Sequence, residues 1–315
     1  MAEPSDIEVT RTVEYRNGVA FQLNEIEGKL KPLCGSSASY TGKSAQIEDR
    51  FDDLVVREKT ERLGDTVNTD IGVERRFIHK PRPQNVAPLI DRDDMMTTPL
   101  DLKAPISRQT AKSIRRAQDD RFLQGFYGTA YTGETGATAV AFKSANILPV
   151  DAGEAGPKGL TKGKLILLRE LITSTSLIDL EDVMPIIPVT AKQVTDLLRI
   201  NEVTSRDYNP QVTQALQNGK VADFLGFRFM PTELGNARVY PHSYTLTVDG
   251  SNYRRLPVII PAGMHWGSWE EFFGKISERA DKEHAWQIFA ETCGTATRTN
   301  EDLAFQMLCS EADNR

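Results

Sequence analysis

The segment that most restricts how this chain can fold is residues 44–94. Its 51 positions hold twelve acidic and nine basic residues, so about 41% are charged against 26% for the whole chain. Apolar residues come singly or in short clusters, at Ile47, Phe51, Leu54-Val-Val56 and Phe77-Ile78. Turn formers separate them at Gly64-Asp65, Asn68, Asp70 and Gly72. Such a stretch has too little apolar surface to offset the entropy of ordering it as a core. The pattern predicts a long two-armed hairpin that projects from the body, with its tip over 58–74. Pro81 and Pro83 mark its edge or exit, because proline cannot donate to a strand ladder. A two-stranded hairpin of this length is unstable alone in water. It needs a surface to lie on, and charges of both signs suit ion pairing with another subunit.

The rest of the chain can supply a body. With 315 residues and 39% hydrophobic content there is material for one large domain or two moderate ones. The net charge of −6 shows none of the basic excess of a protein that grips a duplex, while a container for DNA needs only to avoid strong repulsion. The start, Met1-Ala-Glu-Pro-Ser-Asp6, has neither a basic region nor an apolar run, and no stretch approaches the ~20 apolar residues of a membrane span. Cys34, Cys293 and Cys309 are odd in number, far apart and without a CxxC pair, which favours free thiols in a reducing cytoplasm over a disulfide or metal staple.

Residues 1–43 read as an irregular, polar arm that orders on a partner, with one amphipathic patch at Phe21–Leu30 and a small-residue run at Gly35–Ser39. A helix is expected from Ser107 to Tyr127: Ala111, Ile114, Ala117, Phe122 and Phe126 share a face, Pro105 suits its start and Gly128 its end. A turn into a strand follows over Tyr131–Phe142, then a second helix over Lys162–Ile172. Met184–Val189, Leu225–Glu233 and Leu256–Ile260 read as strands, and Thr190 caps a helix over Ala191–Arg199. Trp266–Ile276 mixes aromatics and acids. Ala285–Arg298 and Leu303–Leu308 suggest a closing strand pair around Thr299–Asp302. Helices and strands mix without regular βα alternation, so the class is α+β.

Residue patterns for chemistry are weak. Gly42-Lys-Ser44 invites a phosphate-loop reading, but the glycine required five residues before Gly42 is Ser37, and no apolar strand precedes it. Gly133-Glu-Thr-Gly136 reads as a plain turn. His79, His242, His265 and His284 show no metal-ligand spacing, and there is no GxSxG elbow. Asp52-Asp53 and Asp93-Asp94 are adjacent, which on a strand puts them on opposite faces. Asp119-Asp120, flanked by Arg115, Arg116 and Arg121, read as surface ion pairs. No catalytic residue, cofactor or metal is assigned.

Segment order and local wording carry a resemblance. Glu74-Arg-Arg-Phe-Ile-His-Lys-Pro-Arg-Pro83 leads to Leu89-Ile-Asp-Arg-Asp-Asp94. The long helix runs into Asp119-Asp-Arg-Phe-Leu-Gln-Gly-Phe-Tyr-Gly-Thr-Ala130 and Thr132-Gly-Glu-Thr-Gly136. Pro188-Val-Thr-Ala-Lys-Gln193, Val203-Thr-Ser-Arg-Asp-Tyr208, Leu225–Glu233 and Ile276-Ser-Glu-Arg-Ala-Asp-Lys282 follow in order. From about residue 44 to 310 the chain resembles the major capsid proteins of tailed bacteriophages, which share the Hong Kong ninety-seven fold. The resemblance implies an arm over 1–43, an extended β-hairpin loop over 44–97, and a peripheral domain with a spine helix over 98–180. It also implies an axial domain over 181–262 and a return to the peripheral domain over 263–315. It implies self-assembly as pentamers and hexamers into an icosahedral head shell around phage DNA. It further implies non-specific contact with that DNA, a separate scaffolding protein and a portal, room for a decoration protein, and no membrane. The particle would be a virion assembled in a bacterial host cytoplasm. Arg57, Glu58, Arg62, Arg75 and Arg76 are the expected subunit contacts, with Arg75 and Arg76 meeting carboxylates of a neighbour.

Three rival readings stand beside this one. An encapsulin-like nanocompartment would hold cargo enzymes. A cytoplasmic enzyme with a scattered site would form a small oligomer and melt in a ligand-dependent way. Another virion component, such as a tail or minor capsid protein, would occur at low copy number.

Overall fold

The structure, a computed structural model, describes residues 28–51, 56, 58, 71–97, 103–153, 155–176, 183–200 and 223–312. Its longest helix is α2 (Lys103–Tyr127), preceded by the short α1 (Arg92–Thr97) and followed by α3 (Lys162–Ser176) and α4 (Ala191–Leu198). At 25 residues, α2 is a rod of about 37 Å. It starts one turn earlier than the apolar spacing predicts, because Pro105 is tolerated in a first turn that has no intrahelical donors to lose. Helix α4 starts as expected: Gln193 Oε1 accepts the Thr190 backbone N–H at 3.1 Å, half of a capping box.

Among the described residues, three sheets frame the helices. Strands β1 (Ser36–Ser39), β13 (Met264–Arg279), β14 (Ala285–Arg298) and β4 (Gln84–Val86) lie in that order, and β5 (Leu89–Ile90) also pairs with β14. Phe122 and Phe126 of α2 are fully buried in the main core. Where α2 meets β14, a Cβ on Gly125 would stand 2.1 Å from the Ala296 carbonyl oxygen, so only glycine permits that approach. A second sheet runs β10 (Asp223–Phe224), β11 (Phe227–Pro231), β9 (Ile186–Val189), β12 (Arg254–Ile259), β15 (Ala304–Cys309), β8 (Ile147–Leu148). The third, β2 (Ser44–Phe51), β3 (Val73–His79), β6 (Ala130–Thr132) and β7 (Thr138–Val140), carries the projecting hairpin.

Four expectations are corrected. The closing strands are β13 and β14, not β14 and β15: after Thr299–Leu303 the chain crosses into the second sheet, where β15 pairs with β12 and β8. Residues 36–39 of the arm are not irregular; they add a parallel strand to β13 through backbone bonds that small side chains do not obstruct. Asp93 and Asp94 sit in α1, not in a strand. Asp119 and Asp120 are not surface groups; both are buried. Asp119 accepts the backbone N–H groups of Lys29, Leu30 and Lys31, and Asp120 accepts those of His242 and Ser243. Backbone donors reach both carboxylates, and the Ser243 hydroxyl also donates to Asp120 at 2.5 Å. Burial still pushes the Asp119 carboxyl above its ordinary range, with the three N–H donors pulling the other way.

Candidate functional site

The projecting loop is rooted on an antiparallel ladder from Ser44↔His79 to Phe51↔Val73, with one register shift between Gln46 and Glu48. Burial falls along it. Ile78 near the inner end is 1% exposed, whereas Phe51 and Val73, which face each other at the outer end, are 65% and 50% exposed. Val56 and Ile71 beyond them are exposed as well. The ladder therefore delivers an apolar pair away from its own core, which is how a contact surface differs from a solvated charged face.

The outer half of the ladder, from which the loop departs, is held by the turn between β14 and β15. Asn300 Oδ1 accepts from Arg50 of β2 at 2.7 Å, Glu301 Oε1 pairs with Arg76 of β3 at 3.4 Å, and Asp302 pairs with Lys143 at 2.6 Å. The other Glu301 oxygen takes the Arg298 Nε at 2.8 Å. Arg298 is 0% exposed, and its guanidinium also donates to the carbonyls of Phe126 (2.5 Å) and Gly128 (2.6 Å), with Phe142 lying 5.2 Å beneath it. It thereby supplies donors and positive charge to the carboxyl end of α2, whose last carbonyls have no helical partner. One buried cluster thus fastens both strands of the loop to the end of the long helix. A loop clamped at its root in this way leaves the body at a fixed angle.

The structure separates the five residues expected at subunit contacts. Arg75 is half-exposed and pairs with Asp49 directly across the ladder at 3.1 Å. Glu58 is exposed. Arg57 and Arg62 lie outside the described residues. Arg76 does not point outward: it is 2% exposed and its carboxylates, Glu74 at 3.2 Å and Glu301, belong to its own chain. Alternation explains the split, since adjacent residues of a strand face opposite sides. Arg298 and Glu301 carry no signature in the sequence, because a single arginine in an apolar strand and a glutamate in a turn are each ordinary.

Nothing else among the described residues gathers into a reactive centre. No group of three or more His, Cys, Asp and Glu comes together as a metal nest, and no helix is long and apolar enough to cross a membrane. Burial pushes the Cys34 and Cys309 thiols up to about 12, which keeps them protonated and poorly nucleophilic. His265 is bracketed by the Ser36 hydroxyl at 2.7 Å and the Tyr40 hydroxyl at 3.0 Å, and burial lowers its basicity. It fastens the arm to β13. Gly42 takes φ +90°, its carbonyl accepts from the Trp269 indole at 2.8 Å, and a strand follows Ser44 where a phosphate loop would need a helix.

Comparison with known proteins fits this geometry. No curated protein matches the chain. A family model described as phage capsid protein matches residues 7–311. Solved structures similar over nearly their whole length include the mature capsid of bacteriophage PhiM1, with 15% identity and a TM-score of 0.64 over 95% of this chain and 92% of that one. The capsid of cyanophage P-SCSP1u gives 10% and 0.67 over 96% and 94%. The head of the Helicobacter pylori bacteriophage KHP40 gives 8% and 0.62 over 95% and 96%. The mixed fold is thus that of Hong Kong ninety-seven-like capsids. With the family model spanning all but the ends, the chain belongs to the phage capsid protein family and is a structural protein of the phage head.

Proposed function

We propose that this capsid protein is the repeating subunit of the head, assembling as pentamers and hexamers into the shell around the phage genome. The observation that carries the reading is the clamped loop: a ladder held by Glu301 and ending in the exposed pair Phe51 and Val73. A rigid body with an apolar-ended arm suits a particle whose copies must overlap their neighbours. Residues 44–97 are the extended loop, 98–180 and 263–315 the peripheral domain, and 181–262 the axial domain. The second sheet extends beyond the axial stretch, since β8 and β15 complete it from either side. A separate scaffolding protein and a portal complete assembly in the host cytoplasm, and the role is structural, with no catalytic step.

Stability of such a shell comes from several interfaces per subunit, each on the order of 1,000 Å² or more. The chain co-expressed with its neighbouring genes should therefore give spherical particles of megadalton mass by light scattering and negative-stain microscopy. A monomer or dimer under all conditions overturns the reading.

Arg75 is the charged loop residue placed to meet a neighbour's carboxylate. Its pairing with Asp49 is a half-exposed surface contact worth only about 0–1 kcal/mol, so a second partner competes readily. Arg75→Glu should lower particle yield severalfold at about 0.05 M salt. The yield should approach that of the parent near 1 M, where the screening length falls to about 3 Å. Equal loss at both salt concentrations, or none, removes Arg75 from the interface.

A further inference from the structure

Strand β13 is paired along one edge for its whole length and along the other only at its start. β14 faces it from Met264 to Arg279, whereas β1 covers the opposite edge from His265 to Ser268. Among the described residues no strand lies beside that edge from Glu270 to Arg279, a stretch of about 30 Å. Its margin is apolar: Phe272, Phe273 and Ile276 are 56%, 44% and 49% exposed. Register sorts them by face. Ile276 lies opposite the buried Ile288, and Phe272 lines a cavity with Ala111 and Ile114 of α2, so both stand on the helix side of the sheet. Phe273 packs on Phe289 on the other side, where the exposed Lys275 follows it. An open edge with an apolar margin is the form that accepts an added strand.

The arm enters the described structure at that edge. Gly28 lines the same cavity as Phe272, and Lys31 pairs with Glu271 at 2.5 Å. Residues 1–27 lie outside the described residues, but their sequence holds one alternating run, Ile7-Glu-Val-Thr-Arg-Thr-Val-Glu-Tyr15. Five of its nine residues are β-branched, which favours an extended chain. In a strand, Ile7, Val9, Val13 and Tyr15 would share one face, and Glu8, Thr10, Thr12 and Glu14 the other. The twelve residues between Tyr15 and Gly28 span about 40 Å when extended, enough to bring the run to any point of the edge. We propose that residues 7–15 add as a further strand to the Glu270–Arg279 edge of β13 in their own subunit. Their apolar face continues Phe272 and Ile276 on the helix side, and their glutamates fall on the side of Lys275. Arg11, the one charge on the apolar face, shares that side with Glu278. Backbone bonds hold such a strand, and the alternation sets which face it turns. The added strand belongs to the single subunit and does not depend on the head-shell reading. It covers an edge at which free copies would otherwise join one another in the wrong way.

Hydrogen exchange of the full-length chain, read by mass spectrometry, tests this with two variants. V9E/V13E puts charge on the apolar face of the run, and T10E/T12E puts the same charge on the other face. Peptides covering 7–15 and 270–279 should exchange about tenfold faster than the parent's in V9E/V13E, and within about twofold of them in T10E/T12E. Equal acceleration in both variants, or none in the first, overturns the proposal. Should V9E/V13E not fold, coupling in the unmodified chain decides. A carbodiimide takes up the water lost as its urea and joins Glu8 or Glu14 to the Lys275 amine through an amide bond. In an equal mixture of light and heavy-nitrogen chains, the coupled peptides should carry a single label throughout. Mixed labels mean that another copy donates the strand and overturn the own-subunit assignment. Absence of both the Glu8–Lys275 and the Glu14–Lys275 product overturns the pairing itself.

Discussion

Replacing Arg298 with methionine is expected to cost the subunit about 3–5 kcal/mol of folding free energy, the range for breaking one side of a buried ion pair. Methionine fills similar volume and stays against Phe142, so the loss is electrostatic and not a cavity. The substitution strips the carbonyls of Phe126 and Gly128 of their donor and leaves the partly buried Glu301 with only the longer Arg76 pairing. The double change R298M/E301Q should recover part of the loss, because a neutral amide costs less to bury than an unpaired carboxylate. Thermal unfolding of the full-length chain measures both. A single variant that melts within ~2 °C of the parent would show that the cluster does not hold the loop root. A double variant no better than the sum of its parts would show that Glu301 and Arg298 act separately.

The contrast between Arg298 and Arg75 shows what the sequence could and could not convey. Local signals are legible: the apolar stripe of α2, the Thr190–Gln193 cap of α4, and the low apolar content that marks the loop all act within a few residues. The resemblance carried the fold class because it integrates such signals over the chain. Non-local compensation is not legible. Asp119 and Asp120 look like surface groups when flanked by arginines, since the backbone donors that satisfy them lie about 90 and 120 positions away. Strand β13 escapes detection for another reason. Its burial changes along its length, from Met264–Ser268 buried on both faces to Glu270–Ile276 exposed, and bulges between Ser268 and Phe273 break the alternation. No single period describes it. Closeness in sequence suggests β15 as the partner of β14, whereas the turn at Thr299–Leu303 is a sheet crossing and not a hairpin.

Excising residues 52–72 and joining Phe51 to Val73 through an Asn-Gly turn should leave a folded subunit that cannot close shells. The two residues are cross-strand partners, so a two-residue turn continues their ladder without changing its register. A cut over 58–74, which the composition alone suggests, is less clean: it removes Val73 from the ladder and Glu74 from Arg76. The 52–72 cut keeps Arg50 on Asn300 and Arg76 on Glu301, and the main core cluster contains no described residue between Cys34 and Phe122. Thermal unfolding should therefore stay within about 2 °C of the parent, equivalent to roughly 1 kcal/mol in a chain of this size. Particle formation should vanish, because each copy loses the part of the loop beyond Phe51 that a neighbour is to receive. Collapse of the fold would place those residues within the body, and normal shells would remove them from the contact between subunits. A subunit that keeps its melting point and loses only its ability to assemble is the outcome in which the clamped ladder carries stability and the segment beyond it carries assembly.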